Sequence, residues 1–155
     1  MKQKPRRYCN NGVTMWKLKA VGKYRYPIYH REGGPAVIYE DGSEEWFFKG
    51  KFHRKDGPAC TYQRHWKETN SPKTEEWFFH GQRHREDGPA IIVKNTFKQW
   101  WKKGKPHRES GPAIEFRNGN KEWFLNGKQY TRETYYRTLY NRKKITKEEL
   151  FINLI

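Results

Sequence analysis

The sequence predicts a mainly β fold, an antiparallel β-hairpin repeat array with a 23-residue unit, closed by a short C-terminal helical cap. Three observations predict it. A heptapeptide recurs four times, as His30-Arg31-Glu32-Gly33-Gly34-Pro35-Ala36, His53-Arg54-Lys55-Asp56-Gly57-Pro58-Ala59, His84-Arg85-Glu86-Asp87-Gly88-Pro89-Ala90 and His107-Arg108-Glu109-Ser110-Gly111-Pro112-Ala113. A cluster of aromatics ahead of a glycine recurs with it, at Trp46–Gly50, Trp77–Gly81, Trp100–Gly104 and Trp123–Gly127. Short runs rich in β-branched and aromatic residues flank Asn-Gly or Asp-Gly pairs, the pattern of a β-hairpin.

The elements follow in chain order. Residues 1–7 read as a basic N-terminal arm, and the array runs over 8–130. Asn11-Gly12 precedes Trp16 as Asp41-Gly42 precedes Trp46, so the series extends back to the first residues. The repeated histidines are spaced by 23, 31 and 23 residues and Trp16 precedes Trp46 by 30, so two units carry insertions, near 17–29 and 63–73. In the clearest unit, Ala36–Glu40 and Ser43–Phe48 are the strands. Asp41-Gly42 is expected to be a two-residue turn with positive φ at both positions. Asn118-Gly119 repeats it, and Asn95-Thr96 is a weaker substitute. In the second unit the tip opens into the loop Gln63–Lys73. The segment Gly50–Ala59 and its equivalents must reverse the chain between hairpins, with a permissive glycine and a proline where no ladder donor is needed. After the degenerate copy Tyr130-Thr131, residues 131–155 read as the cap. Tyr135, Tyr136, Leu139 and Tyr140 mark an amphipathic helix. Thr146-Lys147-Glu148-Glu149 is a capping box, with Ile145 and Leu150 as a hydrophobic staple.

An aromatic, then Gly-Lys-x-His, then Gly in a 23-residue hairpin unit resembles the MORN (membrane occupation and recognition nexus) repeat. The His-Arg-x-Asp-Gly-Pro-Ala form with Trp-x-x-x-Gly ahead of it is more similar to MORN-like repeat proteins of bacteriophages and large DNA viruses, over roughly Tyr8 to Tyr130. The resemblance implies a single-layer, solenoid-like sheet and a viral origin. The chain lacks the recurrent Tyr-x-Gly of the standard pattern and has Arg and Pro-Ala where that family has glycines. The lipid and scaffold binding of eukaryotic MORN proteins is therefore not carried over.

Composition sharpens this. Leu, Ile, Val and Phe make up about 17% of the 155 residues, and the formal net charge is +16, values typical of disorder. Yet the chain carries 7 Trp, 10 Tyr and 9 Phe, so aromatics must do the packing that aliphatics do elsewhere. No run approaches the ~20 apolar residues of a membrane span. The basic head has no apolar stretch behind it, as a signal peptide would. Cys9 and Cys60 form no CxxC pair, so a reduced, intracellular setting is expected, which with the viral origin the resemblance implies is the cytoplasm of a host cell. The charge is uneven. Residues 1–30 hold eight Lys/Arg and no acid, whereas residues 31–127 hold 18 basic and 14 acidic residues. A localised basic end suggests an anionic docking patch.

Candidate chemistry is sparse. His30, His53, His84 and His107 stand one per repeat, and strands are ~4.8 Å apart, so they form a row and not a tetrahedron around one ion. Each is expected to order its own turn by bonding backbone. Arg31, Arg54, Arg85 and Arg108 are each followed within two residues by an acid, so a local ion pair or stacking on an aromatic is expected. A ladder that reads phosphates is the functional alternative. Symmetry is broken at the insertions. We take Arg6, Arg7, Lys17, Lys19, Lys23 and Arg25, with Arg64, His65, Trp66 and Lys67, as candidate partner-binding residues, since basic residues beside an aromatic suit a protein hot spot or a stacked base. No Gly-rich phosphate loop, nucleophile elbow or zinc-protease motif is present, so the chain is expected to be no enzyme and to need no cofactor or metal. The expected function is binding, as a virus-encoded inhibitor of a host defence or nucleic-acid-handling protein. Direct binding of nucleic acid or an anionic nucleotide is the alternative.

Overall fold

Strands and turns dominate the chain because its repeats alternate β-formers with Gly, Asn and Asp. The computed structural model describes residues 4–19, 27–63 and 72–155. Of these, 38% lie in strands and 13% in helices, with the two helices at the C-terminus. The chain opens with β1 (Arg6–Asn10), β2 (Val13–Leu18) and β3 (Ile28–Tyr29). Three units then follow the same plan. They are β4 (Val37–Ile38), β5 (Glu44–Glu45), β6 (Phe47–Phe48) and β7 (Lys51–Phe52); β8 (Cys60–Tyr62), β9 (Thr74–Glu76), β10 (Phe78–Phe79) and β11 (Gln82–Arg83); and β12 (Ile91–Val93), β13 (Phe97–Gln99), β14 (Trp101–Lys102) and β15 (Lys105–Pro106). The last hairpins are β16 (Ile114–Phe116), β17 (Lys121–Leu125) and β18 (Lys128–Tyr130), before α1 (Arg132–Asn141) and α2 (Lys147–Leu154).

One 12-stranded antiparallel sheet runs in the order β1-β2-β4-β5-β8-β9-β12-β13-β16-β17-β18, with β3 on β2. Each of the three units adds a second, shorter hairpin beside it: β6–β7, β10–β11 and β14–β15. The chain passes from one to the other at a tryptophan. Trp46 donates its N–H to the Ala59 carbonyl at 2.7 Å, and its own carbonyl accepts from His53 N–H at 2.9 Å. Trp16, Trp77 and Trp100 repeat this with Ala36 and His30, Ala90 and His84, and Ala113 and His107. Ala36, Ala59, Ala90 and Ala113 are all fully buried, so a methyl group is what fits at these crossings.

The short hairpins were not expected. Their turns are Lys49-Gly50, His80-Gly81, Lys103-Gly104 and, between β17 and β18, Asn126-Gly127, each with positive φ at both residues. These are the two-residue primed turns whose twist matches that of the strands. The tips at Asp41-Gly42 and Asn118-Gly119, expected to be such turns, are three-residue loops instead. Tyr39 N–H reaches the Ser43 carbonyl at 2.9 Å and Gly42 N–H returns to the Tyr39 carbonyl at 3.0 Å. Only Gly42 and Gly119 have positive φ there. The cause is local: the Asp41 carboxylate accepts from Ser43 N–H at 2.8 Å and the Asn118 side-chain carbonyl from Asn120 N–H at 3.0 Å, holding both residues in the ordinary region. Asn11-Gly12 is a two-residue turn of the expected kind.

The cap closes the β18 end. Leu125, Tyr135 and Leu139 form a buried cluster with Trp123, Tyr130, Tyr136 and Ile145 packed against it. Full burial of Leu139 alone is worth about 2 kcal/mol. Thr131 caps α1 by accepting from Thr134 N–H at 3.2 Å. The capping box of α2 is formed, with Thr146 Oγ1 accepting from Glu149 N–H at 3.2 Å and Glu149 accepting from Thr146 N–H at 2.7 Å. No helix is long and apolar enough to cross a membrane among the described residues.

Candidate functional site

The repeated residues come first, because their bonds decide what is left for a partner. Each arginine of the heptapeptide lies flat on a tryptophan. The guanidinium carbons of Arg31, Arg54, Arg85 and Arg108 stand 3.8, 3.9, 4.1 and 3.8 Å from the ring centroids of Trp16, Trp46, Trp77 and Trp100. Each also donates from Nη1 to the carbonyl of the proline four residues on, at 3.1 to 3.4 Å. The face away from the ring meets a glycine: a Cβ at Gly34, Gly57 or Gly88 would lie 2.8 to 3.0 Å from the guanidinium carbon. In these three copies the arginine occupies the space a side chain would need, whereas at Gly111 the distance is 3.6 Å and the positive φ is what favours glycine. Carboxylates complete the set, with Arg85 to Asp87 at 2.9 Å and Arg108 to Glu115 at 2.7 Å.

Each histidine bonds the turn of the next short hairpin and not its own. The Nδ1 atoms of His30, His53, His84 and His107 accept from the backbone N–H of Lys49, His80, Lys103 and Asn126, at 3.0, 3.1, 3.3 and 3.0 Å. These donors are the first residues of the primed turns, and the bond ties one unit to its successor. Acting as acceptor requires a neutral ring. Burial first holds the pKa of His30, His53 and His107 below the ordinary histidine value. At His53 the neighbouring His80, stacked on it at 4.3 Å between centroids, adds to the effect.

The N-terminal end is arranged differently. Arg6 and Arg7, the last residues of the expected arm, belong to β1 and pair with Lys17 and Trp16 of β2. All five residues of β1 are exposed, and β1 is the first strand of the sheet order. Lys17 Nζ sits 4.9 Å from the Tyr29 ring and 5.9 Å from the Tyr8 ring, which holds its ammonium on the same face as Arg6. Arg7 reaches over Trp16 at 5.9 Å, much looser than Arg31 on the same ring. Lys4 and Lys19 are exposed beside the strand pair. The structure thus brings Arg6, Arg7, Lys17 and Lys19 to one end of the sheet. Lys23, Arg25, Arg64, His65, Trp66 and Lys67 lie outside the described residues.

Tyr8 and the backbone of β1 were missed by sequence reasoning. The Asn11-Gly12 turn was the available signal, since it pairs β1 with β2, and among the described residues β1 has no second strand neighbour. Comparison with protein-family models, with curated proteins and with solved structures gives no match for this chain.

Proposed function

We propose that this chain is a non-catalytic repeat scaffold that acts by binding an acidic protein through its N-terminal end. In the setting suggested by the MORN-like motif, it is a virus- or phage-encoded modulator of a host factor in the cytoplasm. The observation that carries the reading is a contrast in how arginines are used. Those of the heptapeptide are committed to a tryptophan, a proline carbonyl and, in three of the four, a neighbouring carboxylate within 3.6 Å. Arg6 stands exposed among Lys4, Arg7, Lys17 and Lys19, on a strand with only β2 beside it among the described residues. An array whose repeated cations are already paired offers no phosphate ladder, which favours a protein partner over a nucleic-acid groove.

Capture from host lysate tests this. The wild type is expected to retain one stoichiometric protein that elutes with salt, and R6E/R7E is expected to lose it. Equal capture by the variant contradicts the proposal.

A further inference from the structure

Resting on that reading, we infer that the partner docks by adding an extended acidic segment as a new strand along β1. The pairing of β1 with β2 fixes which backbone groups are available. Asn10 and Val13 flank the two-residue turn and form a hydrogen-bonded pair, and pairs then alternate along the ladder. Arg7 opposite Trp16 is therefore a non-hydrogen-bonded pair. Trp16 agrees: it gives its N–H to the Ala36 carbonyl and its carbonyl to His30 N–H, both on the side away from β1. By the same alternation Arg7 and Cys9 direct N–H and C=O outward, to the open side of the sheet. Pro5, two residues before Arg7, has no N–H and ends the ladder.

Charge selects the occupant. A second copy pairing edge to edge would set Lys4, Arg6, Arg7 and Lys17 against themselves, and like charges across a ladder are destabilising. An extended segment with carboxylates at alternate positions places them all on one face, opposite Arg6 and Lys17, while its backbone pairs with Arg7 and Cys9. The opposite end of the array is covered by α1 and its cluster, so the two ends of the sheet are not equivalent.

The test is fluorescence anisotropy with a ten-residue peptide of alternating glutamate and valine. The wild type is expected to bind it in low salt. C9P, which removes one outward donor and no backbone bond to β2, should bind at least tenfold more weakly; the thiol contact to Thr14 is lost in C9P and C9A alike. C9A should bind as the wild type does, and R6E/R7E should not bind. If C9P matches the wild type while R6E/R7E fails, docking is by charge alone, and strand addition is overturned while the basic-end reading stands. No binding by the wild type, or binding indifferent to charge reversal, overturns both. Tighter binding of a single-stranded oligonucleotide, unchanged in C9P, assigns the patch to nucleic acid and overturns the inference. The unmodified chain gives a second readout. With saturating peptide the amides of Arg7 and Cys9 should gain exchange protection while that of Tyr8 does not, and no gain contradicts strand addition.

Discussion

A guanidinium between a tryptophan ring and a glycine can be neither widened nor emptied without cost, and this makes the heptapeptide a packing motif. G57A places a methyl 2.9 Å from the Arg54 guanidinium carbon, at a glycine with no positive φ, so the clash and not the backbone decides its effect. We expect a loss of about 1–3 kcal/mol in urea unfolding. In an R54A background the same substitution should cost much less, and an equal cost in both backgrounds would contradict the packing role. The histidines carry a second prediction. The folded-state pKa values of His30, His53 and His107 lie below the unfolded value near 6.5, so the unfolded chain binds protons more readily. Their contribution is full above that value and is lost as the pH falls through it toward the folded-state values. The urea midpoint is expected to drop between pH 7.5 and pH 5, and a flat profile would argue against neutral acceptor rings. At this scale the sequence was informative about type and not about partner. The stacking of arginine on an aromatic was legible from the Trp and Arg repeats. The histidine bond was placed in the wrong turn, because a donor 19 or 27 residues away leaves no trace in local spacing.

The short hairpins show how an element can hide in its own repeat. Lys49-Gly50, His80-Gly81 and Lys103-Gly104 lack the Asn or Asp that marks a primed turn, yet each non-glycine residue sits at a φ of +49°. Tertiary bonds compensate: the first residue's N–H meets a histidine, and the glycine N–H meets a carbonyl of the preceding unit at 2.8 to 2.9 Å. Only Asn126-Gly127 carries the favourable sequence. Replacing Lys103 by Asn should therefore stabilise the protein by about 0.5–1 kcal/mol, since asparagine tolerates this region better and keeps the backbone donor. Unchanged or lower stability would contradict local strain at this turn. The cap gives the opposite case, a helix read correctly from its periodicity whose anchoring bonds were not legible. The Tyr135 hydroxyl donates toward the Arg108 and Gly111 carbonyls at 2.7 and 3.0 Å and accepts from Gly111 N–H at 3.2 Å. Burial pushes its pKa to about 12. Y135F leaves those groups unpaired and should cost about 1–3 kcal/mol by thermal or urea unfolding.

Across the whole molecule, the composition that looked disordered describes a sheet whose packing is distributed along columns of rings. Tyr29, Phe47, Phe52 and Phe78 stack at 5.2, 4.2 and 5.1 Å between centroids, and Arg83 continues the column over Phe78 and Trp101. Few aliphatics are needed because the fully buried apolar groups are mainly the crossing alanines and the cluster under the cap. The uneven charge was legible from the first thirty residues. That Arg6 and Arg7 lie in a strand whose other edge is unpaired among the described residues was not, since the length of the arm depends on pairing with β2. One measurement separates the structural arginines from the binding ones: the affinity of the glutamate–valine peptide for the wild type, R6E/R7E and R85K. We predict that R6E/R7E loses at least tenfold in affinity, while R85K binds as the wild type does despite lower stability. Loss of binding in R85K with retention in R6E/R7E would place the partner on the repeat ladder and contradict the assignment of the N-terminal edge.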